Sequence, residues 1–187
     1  MMKRKANKLK SNLFFVFGII GMAAAIFGVT FLPLASLLQR EVFLVAVIIL
    51  LIVAEASKQK ILEAIEIVLF IGIVLALFSV SQYVTLTAIA ISVVILVAYL
   101  LKIHYYNKEP IGVIGTVGFV LLAIGYGVNT GNAILLNSFA FSFGAIAVAI
   151  YSLMAFILYK VRVQIIWFIL NVAFAIGPLI YLLTVLL

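Results

Sequence analysis

The chain has 187 residues, 68% of them hydrophobic and 9% charged, with a formal net charge of +7 and a mean hydropathy of +1.46. A soluble domain of this length has too little interior to hide so much apolar surface, and apolar runs that never alternate with period two exclude a transmembrane barrel. The basic residues sit at the edges of apolar runs and form no basic face, which argues against nucleic acid as a partner. The lack of cysteine excludes disulfides and thiolate metal sites.

The fold class that remains is all-α: a polytopic bundle whose helices each need roughly 20 apolar residues to cross a bilayer. Residues 1–12, "MMKRKANKLKSN", form a basic leader. The apolar run after it is too long for a secretory h-region and lacks a small-x-small cleavage site, so it reads as a retained helix. Spans are expected over 13–38, 42–56, 61–80, 84–103, 111–128, 134–159 and 165–187. The second is the weakest, being short and ending in Glu55; a re-entrant segment is the alternative there.

Charge placement supports seven. With the N-terminus inside, every Lys and Arg except Arg40 falls on one face, and the C-terminus lies outside. The linkers are too short for an extramembrane domain, and no nucleotide-binding, zinc-protease or nucleophile-elbow motif occurs. No catalytic residue, metal ligand or cofactor site is expected. His104, with Tyr105 and Tyr106, reads as a lipid-interface cluster, and Trp167 as an interface anchor.

An internal repeat organises the chain. "QKILEAIEIVLFIGIVLALF" (59–78) aligns without a gap on "QIIWFILNVAFAIGPLIYLL" (164–183), and "GIIGMAA" (18–24) matches "GVIGTVG" (112–118). This gives a 3+1+3 arrangement in a single domain over 13–187: half one 13–80, linker helix 84–103, half two 111–187. Parallel halves of this kind hold a substrate path between them. The alignment sets Glu66 opposite Asn171, both polar inside apolar helices, and the two are expected to face one another across that path. A carboxylate there can bind a cation, carry a proton or remain a neutral acid that donates a hydrogen bond. Glu63 is the entrance or supporting carboxylate, or else an ordinary charge at a helix start. For Asn171 the alternative is an interhelical hydrogen bond that fixes packing. Glycines 18, 21, 28, 112, 115 and 118 offer close helix approach, and Pro33 and Pro178 are candidate hinges.

"GIIGMAAAIFGVTFLPLASLLQ" resembles the first helix of the SWEET and PQ-loop transporters, and "FILYKVRVQIIWFILNV" resembles their step from second to third helix, with Asn171 at the position of the family's Asn. The resemblance implies a seven-helix carrier of small solutes working by alternating access, with Phe156 near the family's stacking aromatic. Pro33 is followed here by Leu34, so the Pro-Gln pair is absent, and the basic-residue bias implies the opposite orientation. "REVFLVAVIILLIVAEAS" and "IIWFILNVAFAIGPLIYLL" also resemble helices of the third subunit of haem-copper oxidases.

The sequence therefore predicts a multi-pass cell-membrane carrier, with the lipid bilayer and a small polar or cationic solute as its partners and proton coupling as an option. The alternative is a cofactor-free accessory or scaffold subunit of a larger membrane complex. A homo-oligomer is compatible with both.

Overall fold

The computed structural model describes residues 2–32, 36–127 and 134–187. Its elements are α1 (Met2–Phe31), α2 (Leu37–Ala56), α3 (Lys60–Leu77), α4 (Gln82–Lys102), the single-turn α5 (Tyr105–Lys108), α6 (Gly112–Gly127), α7 (Ile134–Tyr159) and α8 (Gln164–Leu186). Among the described residues there is no strand.

Five helical segments are long and apolar enough to cross a membrane: Asn12–Phe31, Leu37–Ala56, Gln82–Lys102, Leu135–Tyr159 and Gln164–Val185. That is fewer than the seven expected. α3 has 18 residues but carries Lys60, Glu63 and Glu66, and the apolar part of α6, Gly112–Tyr126, is shorter. The segment expected to be weakest is instead a regular 20-residue helix. It begins at Leu37, where the Ser36 side chain accepts a hydrogen bond from the Gln39 amide and so caps the first turn. Arg40 and Glu41 thus lie inside α2, whereas a reading of apolar runs breaks there. Pro33 lies outside the described residues; Pro178 sits within α8.

Several helices stop by turning one residue left-handed. Lys58, Ser79, His104 and Lys160 all have positive φ, after α2, α3, α4 and α7 respectively. The turn lets the Gln59 amide reach the Ala54 carbonyl and the Val80 amide reach the Leu75 carbonyl, satisfying acceptors at the helix end. No glycine marks these stops, which is why the sequence shows them only as breaks in hydropathy.

Close packing runs through small residues. A Cβ at Gly21 of α1 would press on Leu50 of α2, and one at Gly28 on Phe43; a Cβ at Gly18 would overlap Ile166 of α8. On the other side, Gly118 and Gly125 of α6 lie against Val148 and Phe141 of α7, and Gly115 against Ile61 of α3 and Tyr151 of α7. Each chain of contacts joins three helices in sequence order, α1–α2–α3 and α6–α7–α8, and α1 meets α8 while α3 meets α6. α4 packs on α3 and α6 and keeps only Ile89 and Leu100 buried.

α3 lies against α2, α4 and α6, with Ile61, Leu62, Ala64, Ile65, Glu66, Val68, Gly72 and Ile73 all buried. The outer surface is apolar instead: Phe17, Ile20, Val94, Ile95 and Ile180 are exposed. Scattered apolar residues are normal on soluble proteins, but so many exposed apolar side chains on several long apolar helices suggest a membrane protein.

Gly118 and Gly177 make a paired test of this packing. A Cβ at Gly118 would come within 2.8 Å of the Val148 backbone nitrogen and 2.9 Å of the Gly144 carbonyl oxygen, whereas one at Gly177 would meet nothing. Gly118→Ala should therefore destabilise the bundle by about 1–3 kcal/mol, and Gly177→Ala should leave stability unchanged or raise it by up to about 1 kcal/mol. Thermal unfolding of the two variants in detergent checks both.

Candidate functional site

The helix order brings charged helix ends together at one pole of the bundle. Gln59, just before α3, accepts from Gln164 Nε2 at the start of α8, so the α2–α3 and α7–α8 turns share an end. Lys58, Lys60, Lys160 and Arg162 belong to those turns. The α4–α6 connection joins them, because Glu109 accepts from Tyr151 of α7 at 2.8 Å. Arg40 marks the opposite pole, where its Nη1 donates to the Ala76 carbonyl at 2.6 Å and covers the end of α3. A cation there also complements the partial negative charge of the helix C-terminus.

Glu66 lies two helical turns beyond Gln59, about 10 Å along the axis. It is 1% exposed. Its Oε1 accepts from the indole nitrogen of Trp167 on α8 at 2.9 Å, and its Oε2 has no hydrogen-bond partner. Among the described residues the one ion pair joins Lys60 to Glu63, so no cation balances Glu66. A buried carboxyl group with one neutral donor and no counter-charge is costly and is normally held in place for a reason.

Asn171 is also buried, but its Nδ2 donates to the Trp167 carbonyl on its own helix, at 2.8 Å. Trp167 therefore joins the two expected residues, its indole to Glu66 and its carbonyl to Asn171, in place of a hydrogen bond between them. The interface-anchor expectation for Trp167 is corrected here: the side chain is fully buried. A tryptophan at the first turn of a span reads as interfacial from sequence, and only the docking of α8 near α3 takes it inside.

Glu63 points elsewhere. It accepts from Lys60 Nζ at 2.6 Å, and the pair borders a small cavity against Leu96, Tyr99 and Leu100 of α4. That is the geometry of a helix-start ion pair, not of a group supporting Glu66. Phe156 is half-buried on α7. One step toward the Arg40 pole, Phe174 lies between Phe43 of α2 and Phe141 of α7, with ring centroids 6.2 and 6.4 Å away. Tyr126 of α6 covers Gly72 of α3.

A second polar cluster was missed by sequence reasoning. Tyr105 Oη donates to Glu109 Oε2 at 2.6 Å and lies 3.1 Å from Tyr151 Oη. Tyr105 is buried, not interfacial as expected, while His104 beside it is exposed. Burial, and next the neighbouring Tyr151, push the Tyr105 phenol up, so it stays a hydrogen-bond donor to the carboxylate. The one advance signal was the i, i+4 spacing of Tyr105 and Glu109.

No family model, curated protein or solved structure matches the chain.

The Trp167–Glu66 bond can be tested energetically. Trp167→Phe leaves both Glu66 oxygens unpaired in the core, at a cost of about 1–3 kcal/mol beyond the lost volume. Adding Glu66→Leu should return much of that loss, because the orphaned polar group goes too. Unfolding free energies of the single and double variants in mixed micelles, taken as a double-mutant cycle, measure the coupling.

Proposed function

We propose that the chain is a multi-pass membrane carrier that moves a small polar or cationic solute between two three-helix halves, with Glu66 as the central binding group. The observation that carries this reading is the Glu66 carboxyl group, wholly buried between α3 and α8 with one oxygen left unpartnered. Its kinship is with SWEET and PQ-loop carriers, at the level of a 3+1+3 plan.

The packing supports two related halves. Gly18, Gly21, Ala25 and Gly28 are the buried positions of α1 among its described side chains, and Gly115, Gly118, Leu122 and Gly125 repeat that spacing, all buried, in α6. Their neighbours correspond as well: Leu50 with Val148, Phe43 with Phe141, and Ile166 with Ile61. This register pairs Gly18 with Gly115, one turn along from the match read in the sequence. Gln59 and Gln164, equivalent in the alignment, bond to each other, which suits a pseudo-two-fold axis passing near them. The symmetry breaks at the centre. Leu62 stands where the second half has Trp167 and offers no donor, so Asn171 bonds within its own helix while Glu66 bonds across.

On this reading α3 and α6 also span, giving seven. The 18 residues of α3 cover about 27 Å, close to the roughly 30 Å hydrocarbon core. The pole bearing Lys58, Lys60, Lys160 and Arg162 faces the cytoplasm. Gln59–Gln164 closes the path at that pole, Phe43–Phe174–Phe141 and Tyr126 close it toward the other, and rocking of the halves would open them in turn.

Flux assays on reconstituted liposomes test the reading, with methylammonium, choline, glycine and glucose as probes. The wild-type chain should carry at least one of them, and Glu66→Gln should lower that flux by about tenfold or more while the protein elutes as a folded species. Unchanged flux in Glu66→Gln would return the residue to a structural role. Stoichiometric co-purification of large membrane partners, with no flux of any probe, would favour the accessory-subunit alternative.

A further inference from the structure

The surroundings of Glu66 also bear on what occupies it. Its Oε2 has no hydrogen-bond partner, and at 1% exposure the side chain leaves no space for water beside that oxygen. An ionised carboxylate sealed in this way, with one indole donor and no cation, would give up hydration that nothing replaces. A carboxylic acid carries no such charge, and its hydroxyl becomes a donor.

Among the described side chains, groups on the neighbouring helices supply no compensating charge. On α3 itself, Lys60 is committed to Glu63. On α2, Glu55 is exposed near the basic pole, and Glu41 and Arg40 lie at the opposite pole, with Arg40 bound to the Ala76 carbonyl. α4 presents Tyr99 and Lys102 at its exposed end. Tyr126 of α6 rests on Gly72, Tyr151 of α7 is engaged with Glu109, and α8 contributes the neutral Trp167.

We propose that Glu66 is a proton-binding site whose occupancy decides whether the two halves can close over it. The inference rests on Glu66 being the central group of the proposed carrier and names its coupling ion. In the closed arrangement the carboxyl O–H is intact. When α3 and α8 part, water reaches Oε2, the O–H bond breaks, the proton passes to water, and the carboxylate is solvated on whichever side is open. Closing again requires a proton to return to that oxygen. The closed form is therefore favoured while the proton is bound and is lost as pH rises.

Trp167 is the single tryptophan of the chain and is bonded to the group in question, so its fluorescence reads the switch directly. The purified full chain in lipid nanodiscs is titrated from acid to alkaline pH, following the Trp167 emission maximum and acrylamide quenching, with the protonated-carboxyl C=O stretch recorded by infrared difference spectroscopy. In the wild type, alkaline pH should red-shift the emission and expose the indole to quencher as the carboxyl band disappears. Glu66→Gln, which mimics the neutral acid, should stay blue-emitting and protected throughout. A wild-type carboxyl band that vanishes while Trp167 stays protected would overturn the proposal, as would a Glu66→Gln chain that opens with pH like the wild type. Should Glu66→Gln fail to fold, the wild-type spectra decide: a carboxyl band present in the protected form supports the proposal, and its absence there defeats it. A pH response without solute flux would remove the carrier but keep the proton switch, whereas solute flux without a pH response would remove the switch alone.

Discussion

A single hydrogen bond, from the Trp167 indole to the Glu66 carboxyl group, ties α8 to α3. It is made where water does not reach, between two residues that are both at most 1% exposed. In such surroundings a polar group without a partner is far more costly than a satisfied bond is favourable. The bond therefore fixes the height of α8 against α3 more strictly than apolar contact would. With α8 so placed, Gln164 meets Gln59 and Ile166 fills the gap over Gly18.

Small residues make that placement reachable. Gly118 and Gly144 bring the backbones of α6 and α7 together, and Gly18 and Gly21 let side chains of α8 and α2 lie against α1. Between membrane helices, where lipid is as apolar as leucine, such close contact supplies much of the attraction. The same rigidity confines polar chemistry to a few points. Glu109 is satisfied by two tyrosines and Glu63 by a lysine, which leaves Glu66 as the buried carboxyl group with an unanswered oxygen. The proposed carrier function and the proposed proton switch both follow from that contrast.

On the proposed repeat, one asymmetric polar contact accounts for the different bonding of Glu66 and Asn171. Equivalent positions in two halves need equivalent neighbours to make equivalent bonds. Trp167 offers an N–H and Leu62 does not, so on the repeat reading the carboxyl group looks across the interface and the amide looks back along its own helix.

Taken alone, the sequence determined the helical class, the membrane character and the gathering of basic residues at one pole, because hydropathy and charge act on any apolar helix whatever its neighbours. It also singled out Glu66, since a carboxyl group inside an apolar run is conspicuous before any fold is known. It misjudged the start of α2, where a serine cap holds charged residues inside the helix, and it gave α3 and α6 the same standing as the five longer or less charged spans. Which side chain answers Glu66, that Glu63 turns toward α4, and that Tyr105 and Trp167 lie inside the protein were decided only by tertiary structure. These depend on helix rotation and relative height, which are set by contacts between residues far apart in the chain and leave no periodic trace within any one helix.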